Sequence, residues 1–293
     1  SRVMDLKSAR KLAWLQWMPA APYAKALRNS WGKETDYRRG NLSMQDNVSL
    51  LHFEWDMVNQ SEFLKQFLAD HSSLNIPFTH TGPTPQYGPG RFDKGFVKGL
   101  TTWLKTTVNA DIPLPGKSDF TWALWVKSTE NCDKDNPRTY IGTDRADMVN
   151  YAPHFWVGCR ADPSFCPSTV GGHFSGAIVA NLAQLDVVVW CGRKNITDGN
   201  WHHLAIVKRG GYPDAVFNSY VDGEKEAVHI TGATITAFDS ASIPFTFQVP
   251  LHFDISSLLA IGTHSSWPDD YQSEASFDDV ALLNRAFSDT GVK

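Results

Sequence analysis

The sequence predicts an all-β fold, two antiparallel sheets packed face to face as a jelly-roll sandwich. Three observations carry this. From residue 48 onward apolar side chains recur mostly with a period of two, as a half-buried strand requires. The patterned stretches are short and are separated by Gly, Pro, Asp and Asn, the residues that turn a chain. Helical spacing is confined to stretches before residue 71.

Residues 1–44 form the first element, a short helical N-terminal arm. "DLKSARKLAWLQWM" sets Leu6, Ala9, Leu12, Ala13 and Trp17 at helical intervals until Pro19 ends the run, and a second short helix fits Pro22 to about Ser30. The sandwich is expected over 45–293. "SLLHFEWDM" alternates Leu51, Phe53, Trp55 and Met57 against His52, Glu54 and Asp56, a strand with one buried face. "NQSEFLKQFLADH" then reads as an inserted helix, capped by Asn59, with Phe63, Leu64, Phe67 and Leu68 as its apolar stripe. After the proline-rich "TGPTPQYGPG", strands follow one another: "FTWALWVK", "LDVVVWC", "WHHLAIVK", "AVFNSYVDGEKEAVHI", "FTFQVPLHFDI", "LLAIGT" and "FDDVALLN". Asp222-Gly223 marks a tight hairpin turn.

Length and charge narrow the function classes. The 293 residues are 42% hydrophobic, enough for one large sandwich domain with an appended arm. The net charge is −4, with Lys and Arg scattered rather than gathered into a basic stripe, which argues against nucleic acid. No apolar run reaches the 18 or so residues of a membrane helix, so no insertion is expected. The chain starts at Ser1 and stops just beyond its last element, which reads as a piece of a longer chain. Missing signal sequences therefore carry no information on compartment. Cys132, Cys159, Cys166 and Cys191 lie within 60 residues, without C-x-x-C spacing. They allow two disulfides in any of three connectivities, or free thiols.

The adjacent histidines in "DGNWHHLAIVKRGG" (198–211) look at first like a chelating pair. In a strand, neighbours point to opposite faces. Trp201, His203, Ala205 and Val207 share one face, and His202, Leu204 and Ile206 the other. The pair is read as structural, capping or lining a sheet.

"FTWALWVKS" (120–128), "DGNWHHLAIVKRGG" (198–211), "YVDGEKEAV" (220–228), "LLAIGTHSS" (258–266) and "SFDDVALLNRAFSD" (276–289) occur in that order. Together they resemble the laminin-G-like, concanavalin-A-type jelly-roll family, with its pentraxin relatives. "GPGRFDKGFVKG" (88–99) is similar to the strand before that family's first long hairpin. The resemblance spans about residues 48–291 and implies the concanavalin A-like sandwich. It does not choose a ligand, because the fold carries many functions. The inserted helix and the long Cys-bearing loops over 129–175 depart from the family pattern.

Three candidate sites follow. Members of the fold often hold Ca²⁺ where the first and last strands meet. Asp279 of "FDDV" matches the recurring acidic position, and Glu54 and Asp56 would face it with the hard oxygens calcium takes. The alternative is that Asp279 accepts hydrogen bonds from backbone amides of a neighbouring loop. The loop "HSSWPDDYQSE" (264–274) joins Trp267 and Tyr271, whose rings suit sugar stacking, to Asp269 and Asp270, which suit hydroxyls. The plainer reading makes Trp267 a loop anchor. "DRADMVNYAPHFW" (144–156) is a weaker candidate on the same logic. For catalysis, jelly-roll glycoside hydrolases that retain configuration carry Glu-x-Asp-x-x-Glu. Here Glu54 and Asp56 match, but Asn59 replaces the second Glu and cannot shuttle a proton. No counterpart of the alginate-lyase residues and no G-x-S-x-G elbow occurs.

The expected function is a non-catalytic binding or adhesion module for a glycan or a protein surface, carried on a larger surface or virion protein. Calcium is the one cofactor expected, and self-association would run through the N-terminal arm. The alternatives are an assembly domain of a larger particle or phage appendage, and a glycan-degrading enzyme. N-x-S/T triplets at Asn41, Asn47, Asn59 and Asn195 bear on glycosylation only in a eukaryotic secreted protein.

Overall fold

The computed structural model describes residues 47–51, 78–91, 94–97, 102–106, 119–133, 137–144, 154–162, 166, 171–181, 186–211, 213–232, 236–246, 258–264 and 271–292. The predicted arm (1–44) and the predicted helix at 59–70 lie outside these residues. Within them the chain forms strands and no helix. The strands are β1 (Asn47–Leu51), β2 (Phe78–Thr81), β3 (Gln86–Pro89), β4 (Lys94–Val97), β5 (Trp103–Thr106) and β6 (Phe120–Lys127). They continue with β7 (Arg138–Asp144), β8 (His154–Arg160), β9 (His173–Asn181), β10 (Asp186–Asn195), β11 (Trp201–Gly210) and β12 (Asp214–Val221). The last are β13 (Glu224–Lys225), β14 (Val228–Gly232), β15 (Thr236–Ser240), β16 (Ile243–Thr246), β17 (Leu258–Ile261) and β18 (Ser276–Leu283).

Two sheets result. The first runs β13-β12-β11-β6-β18-β4-β3, with β1 also on β18 and β16 also on β12. The second runs β15-β14-β10-β9-β8-β7-β17-β5-β2. All of these pairings are antiparallel. This is the predicted sandwich.

The core lies between the sheets and is strongly aromatic. Phe155 of β8 reaches across to Trp122 of β6 at 4.8 Å between ring centroids, and to Phe217 of β12 at 5.7 Å. It also meets Phe120 at 5.8 Å and, within its own sheet, Trp190 of β10 at 6.2 Å. Alternation supplies these rings: Phe120, Trp122, Leu124 and Val126 of β6 all point inward and are buried. Lys208 closes one end of this core. Its ammonium lies 5.9 Å from the Phe120 ring and donates to the Gly210 carbonyl, and burial lowers its pKa to about 8.

The histidine alternation is observed. His203 lines the outer face of the first sheet beside Trp125, with ring centroids 5.2 Å apart, while His202 sits on the inner face at the strand end. The outer face is itself covered where β18, β6, β11 and β12 run, because the chain returns over it after β18. Thr121 donates to the Arg285 carbonyl and accepts from the Phe287 amide. Arg209 donates to the Phe287 carbonyl, and the Tyr220 hydroxyl donates to Asp289. Buried Phe287 and Val292 complete this strap.

The cysteines pair as Cys132–Cys159 and Cys166–Cys191. The first joins the connection between β6 and β7 to β8 of the second sheet. The second ties the segment after β8 to β10. Of the N-x-S/T triplets, Asn195 is folded into a turn: its side-chain oxygen accepts from the Thr197 amide, and the Thr197 hydroxyl accepts from the Gly172 amide.

"AVFNSYVDGEKEAVHI" behaves differently from one continuous hairpin. Asp222 and Gly223 take the positive φ values of a tight turn, 56° and 78°. The return arm β13 has only two residues, after which β14 belongs to the other sheet. Glu226 occupies the crossing. Its amide donates to the Ser219 carbonyl (2.8 Å), and its carboxylate accepts from the amides of Arg193 (3.2 Å) and Lys194 (3.0 Å) on β10. The Ser219 hydroxyl donates to the other oxygen. A methyl group at Gly192 would lie 2.2 Å from that carboxylate, so any side chain there would push Glu226 out of place.

Burial raises the Glu226 pKa above its ordinary value despite these hydrogen bonds. Such a group contributes most stability below its unfolded pKa and loses it as pH rises through the folded one. Glu226→Gln should therefore gain stability relative to wild type as pH is raised from about 4 to about 7, read from urea midpoints. Gly192→Ala should cost about 1–3 kcal/mol by overpacking.

Candidate ligand-binding loop

After β17 the chain doubles back at Gly262 and crosses the outer face of the second sheet. It passes over Gly142 of β7 so closely that a methyl group there would come within 3.3 Å of both the His264 Cα and the Thr263 carbonyl oxygen. The His264 ring packs edge-on against His154 of β8, 5.2 Å between centroids, and lies 5.9 Å from the Tyr271 ring. Burial first, and the neighbouring His154 second, hold His264 well below the ordinary histidine pKa. This is the foot of the 264–274 loop.

The returning end is pinned just as firmly. The Thr139 amide donates to the Tyr271 carbonyl (2.9 Å) and the Arg138 guanidinium to the Gln272 carbonyl (3.0 Å). The Ser273 amide donates to the Gly262 carbonyl (3.0 Å), which closes the loop on itself. Glu130 gathers the rest. It accepts from the Glu274 amide (2.6 Å), the Ser273 hydroxyl (2.7 Å) and the Ser128 hydroxyl (3.0 Å). Arg138 stands 3.6 Å away as its countercharge. The Glu130 side chain is only 8% exposed, so its bonds to the Ser273 and Ser128 hydroxyls are partly shielded from water, which strengthens them.

Of the four residues predicted for ligand contact, Tyr271 is half-buried, its ring against His264. Trp267, Asp269 and Asp270 lie outside the described residues, as does most of the 144–156 loop. Glu130 and Arg138 were not anticipated. Both sit in polar stretches without periodicity, and their importance arises from segments more than 130 residues away.

The predicted metal residue Asp279 occupies a β-bulge. Asp278 pairs with Trp125 and Ala281 with Ala123, so β18 carries one extra residue there, and Asp279 takes φ 46°. The adjacent Asp278 carboxylate binds a neighbouring loop: it accepts from the Arg91 amide (2.8 Å) and the Asp279 amide (3.0 Å). Arg91 in turn covers the Trp125 ring at 4.8 Å. Among the described residues no three His, Cys, Asp or Glu side chains gather as a metal site. Glu54 and Asp56, the other predicted ligands, lie outside them. No helix of the described residues is long and apolar enough to cross a membrane.

Residues 99–293 match a laminin-G-type model described as the concanavalin A-like lectin/glucanases superfamily. No curated protein matches the sequence significantly. Domain 4 of AbnA, a GH43 extracellular arabinanase from Geobacillus stearothermophilus solved with arabinotriose, is similar in structure. Its TM-score is 0.51 at 17% identity, over 84% of this chain and 96% of that one. The binding domain of Paraclostridial Mosquitocidal Protein 1 gives 0.44 at 15% identity, covering 85% of this chain and 51% of that one. That of Botulinum Neurotoxin DC, solved with SialylT, gives 0.47 at 12% identity, covering 85% and 50%. The chain thus spans about half the length of either toxin domain. At these identities the likeness extends to the fold alone. With sandwich, strand order and family model in agreement, the chain belongs to the concanavalin A-like lectin/glucanases superfamily.

Proposed function

We propose that this chain is a non-catalytic recognition module of a larger surface or virion protein, and that it binds a glycan through the 264–274 loop. The observation that carries the reading is the loop's double anchorage. One end is wedged over Gly142, and the other is held by Thr139, Arg138 and Glu130. Ends fixed on a rigid β-scaffold set where the residues between them start and finish, and such loops are where a scaffold presents recognition residues. Tyr271 and Trp267 supply ring faces for sugar stacking, and Asp269 and Asp270 supply acceptors for hydroxyls. Three observations support the setting. The superfamily contains lectins, and AbnA domain 4, of the same fold, was solved with a bound arabinotriose. Two disulfides fit an oxidising, extracellular environment.

Each ring contact is worth on the order of 1 kcal/mol, so a single site binds weakly and useful avidity comes from several copies. On a glycan array presented multivalently, Trp267→Ala and Tyr271→Ala should each lower affinity roughly tenfold or less. Gly142→Ala, which lifts the foot of the loop, should weaken binding while retaining the folded spectrum. Binding indifferent to all three substitutions would remove the loop from the site. Capture of a protein ligand alone would favour the protein-surface alternative. Polysaccharide turnover lost in Glu54→Gln would make the chain an enzyme.

Calcium, if bound, uses Asp279 with Glu54 and Asp56. The expected result is a melting temperature that rises with calcium by mass action and a shift that disappears in Asp279→Ala. An identical melting curve in chelator would assign Asp279 to the bulge alone.

A further inference from the structure

His202 stands with a carboxylate on each ring nitrogen. Nδ1 lies 3.0 Å from Asp222 Oδ2, in the turn between β12 and β13, and Nε2 lies 3.1 Å from Asp198 Oδ1, in the turn before β11. A neutral imidazole has one N–H and one lone pair, whereas an ionised carboxylate only accepts. Both bonds form together only if both nitrogens carry protons, which makes the ring a cation. The side chain is 13% exposed and each aspartate less than 40% exposed, so the bridge is partly shielded from water.

We propose that His202 is held as an imidazolium at neutral pH and acts as a pH-controlled clasp, fastening the 198–200 turn to the Asp222 hairpin and loosening both when it loses its proton. The two aspartates are already committed to this geometry. Asp222 Oδ1 accepts from the His203 amide, and the Asp222 amide donates to the His203 carbonyl. Asp198 accepts from the amide and the side-chain nitrogen of Asn200. When His202 is neutral, one carboxylate faces a lone pair and its turn loses the cross-link. The effect reaches further, because the Gly199 amide donates to the Ser128 carbonyl and the Ser128 hydroxyl donates to Glu130, the anchor of residues 273–274.

The surrounding charges do not mask this titration. Across the β6 pairing His202 meets Val126, with the exposed Lys127 one residue on. From β10, Lys194 reaches Asp222 electrostatically but is itself ion-paired with Glu224 of β13 at 2.9 Å. His203 points to the opposite face, and burial lowers its pKa to about 4, so it stays neutral. His202 moves the other way. Its bond to Asp222 raises its pKa most, partial burial opposes, and Asp198 adds to the rise. A histidine raised above its unfolded value of 6.5 gives stability that is complete below 6.5 and lost as pH climbs through the folded pKa. The clasp is fastened around and below neutral pH, as long as both aspartates stay ionised, and is released in alkali.

The proposal stands apart from the glycan reading, since its readouts need no ligand. Imidazole nitrogen NMR of the whole chain, followed from about pH 6 to about pH 9, should show both His202 nitrogens protonated at neutral pH. His202 should titrate above 6.5, with His203 neutral throughout. Amide protection at Gly199, Asn200 and Asp222 should fall along the same titration. The urea midpoint of wild type should fall over that range relative to His202→Gln, which has no proton to lose. Asp198→Asn, which keeps the histidine, should bring its titration back toward 6.5 and shrink the pH dependence. A His202 that titrates at or below 6.5, or exists as one neutral tautomer at neutral pH, overturns the clasp. So does amide protection that ignores its titration.

Discussion

The ring of Phe155 is the contact on which the rest of the molecule depends. It is the place where aromatic side chains of the two sheets interlock, with Trp122, Phe120 and Phe217 on one side and Trp190 on its own. Rings of this size bring large apolar area and prefer tilted or edge-on approach, so they fix the spacing and rotation of the sheets as well as holding them together. With the sheets fixed, the turns at their ends take fixed positions too. Glu130 can then gather groups from segments more than 140 residues apart without an ordering cost of its own.

Around that apolar centre, buried or half-buried charges are used as joints. Glu226 sits where the chain leaves one sheet for the other and accepts two amides of the sheet it enters. Asp278 stabilises the bulge in β18 and holds the Arg91 loop. Glu130 ties the 128–132 segment to 273–274. Each joint satisfies backbone amides that the strand ladders leave over, a need that every sandwich meets where its strands end. An apolar residue at these positions would deprive those amides of their acceptors.

Much of the architecture was legible in the residues because it rests on local alternation. The strands of "FTWALWVK" and "FDDVALLN", the Asp222-Gly223 turn and the opposed faces of His202 and His203 all follow from spacing along one segment. Partnerships between distant segments are invisible to that kind of reading. The pairing of Cys132 with Cys159 rather than with Cys166 is one example. The change of sheet at Glu226 is another, since the strand pattern continues smoothly through "EKEAVHI" on either side of it. In "FDDV" the family pattern drew attention to Asp279 and not to Asp278, whose carboxylate ties the Arg91 loop. The bulge shifts the register by one residue, which no periodicity reveals. Tyr271 was legible as a loop aromatic, but not that its ring would lie against His264 at the loop's foot.

The position of β18 in the first sheet has a consequence for biosynthesis. This strand lies between β6 and β4 and also carries β1, so it is an interior strand on which three others depend. Its partners on β6 lie some 150 residues earlier in the chain, as Phe277 against Val126 illustrates. A ribosome delivers residues in order, and while β18 is still unmade β6 has an open flank where its neighbour belongs. The second sheet contains a run of four strands, β7 through β10, each paired with the next, and can begin to assemble during synthesis. The first sheet closes only after residue 283 has emerged. Until then the apolar edges of β6 and β4 are exposed to other nascent chains, a window of aggregation risk set by strand order alone.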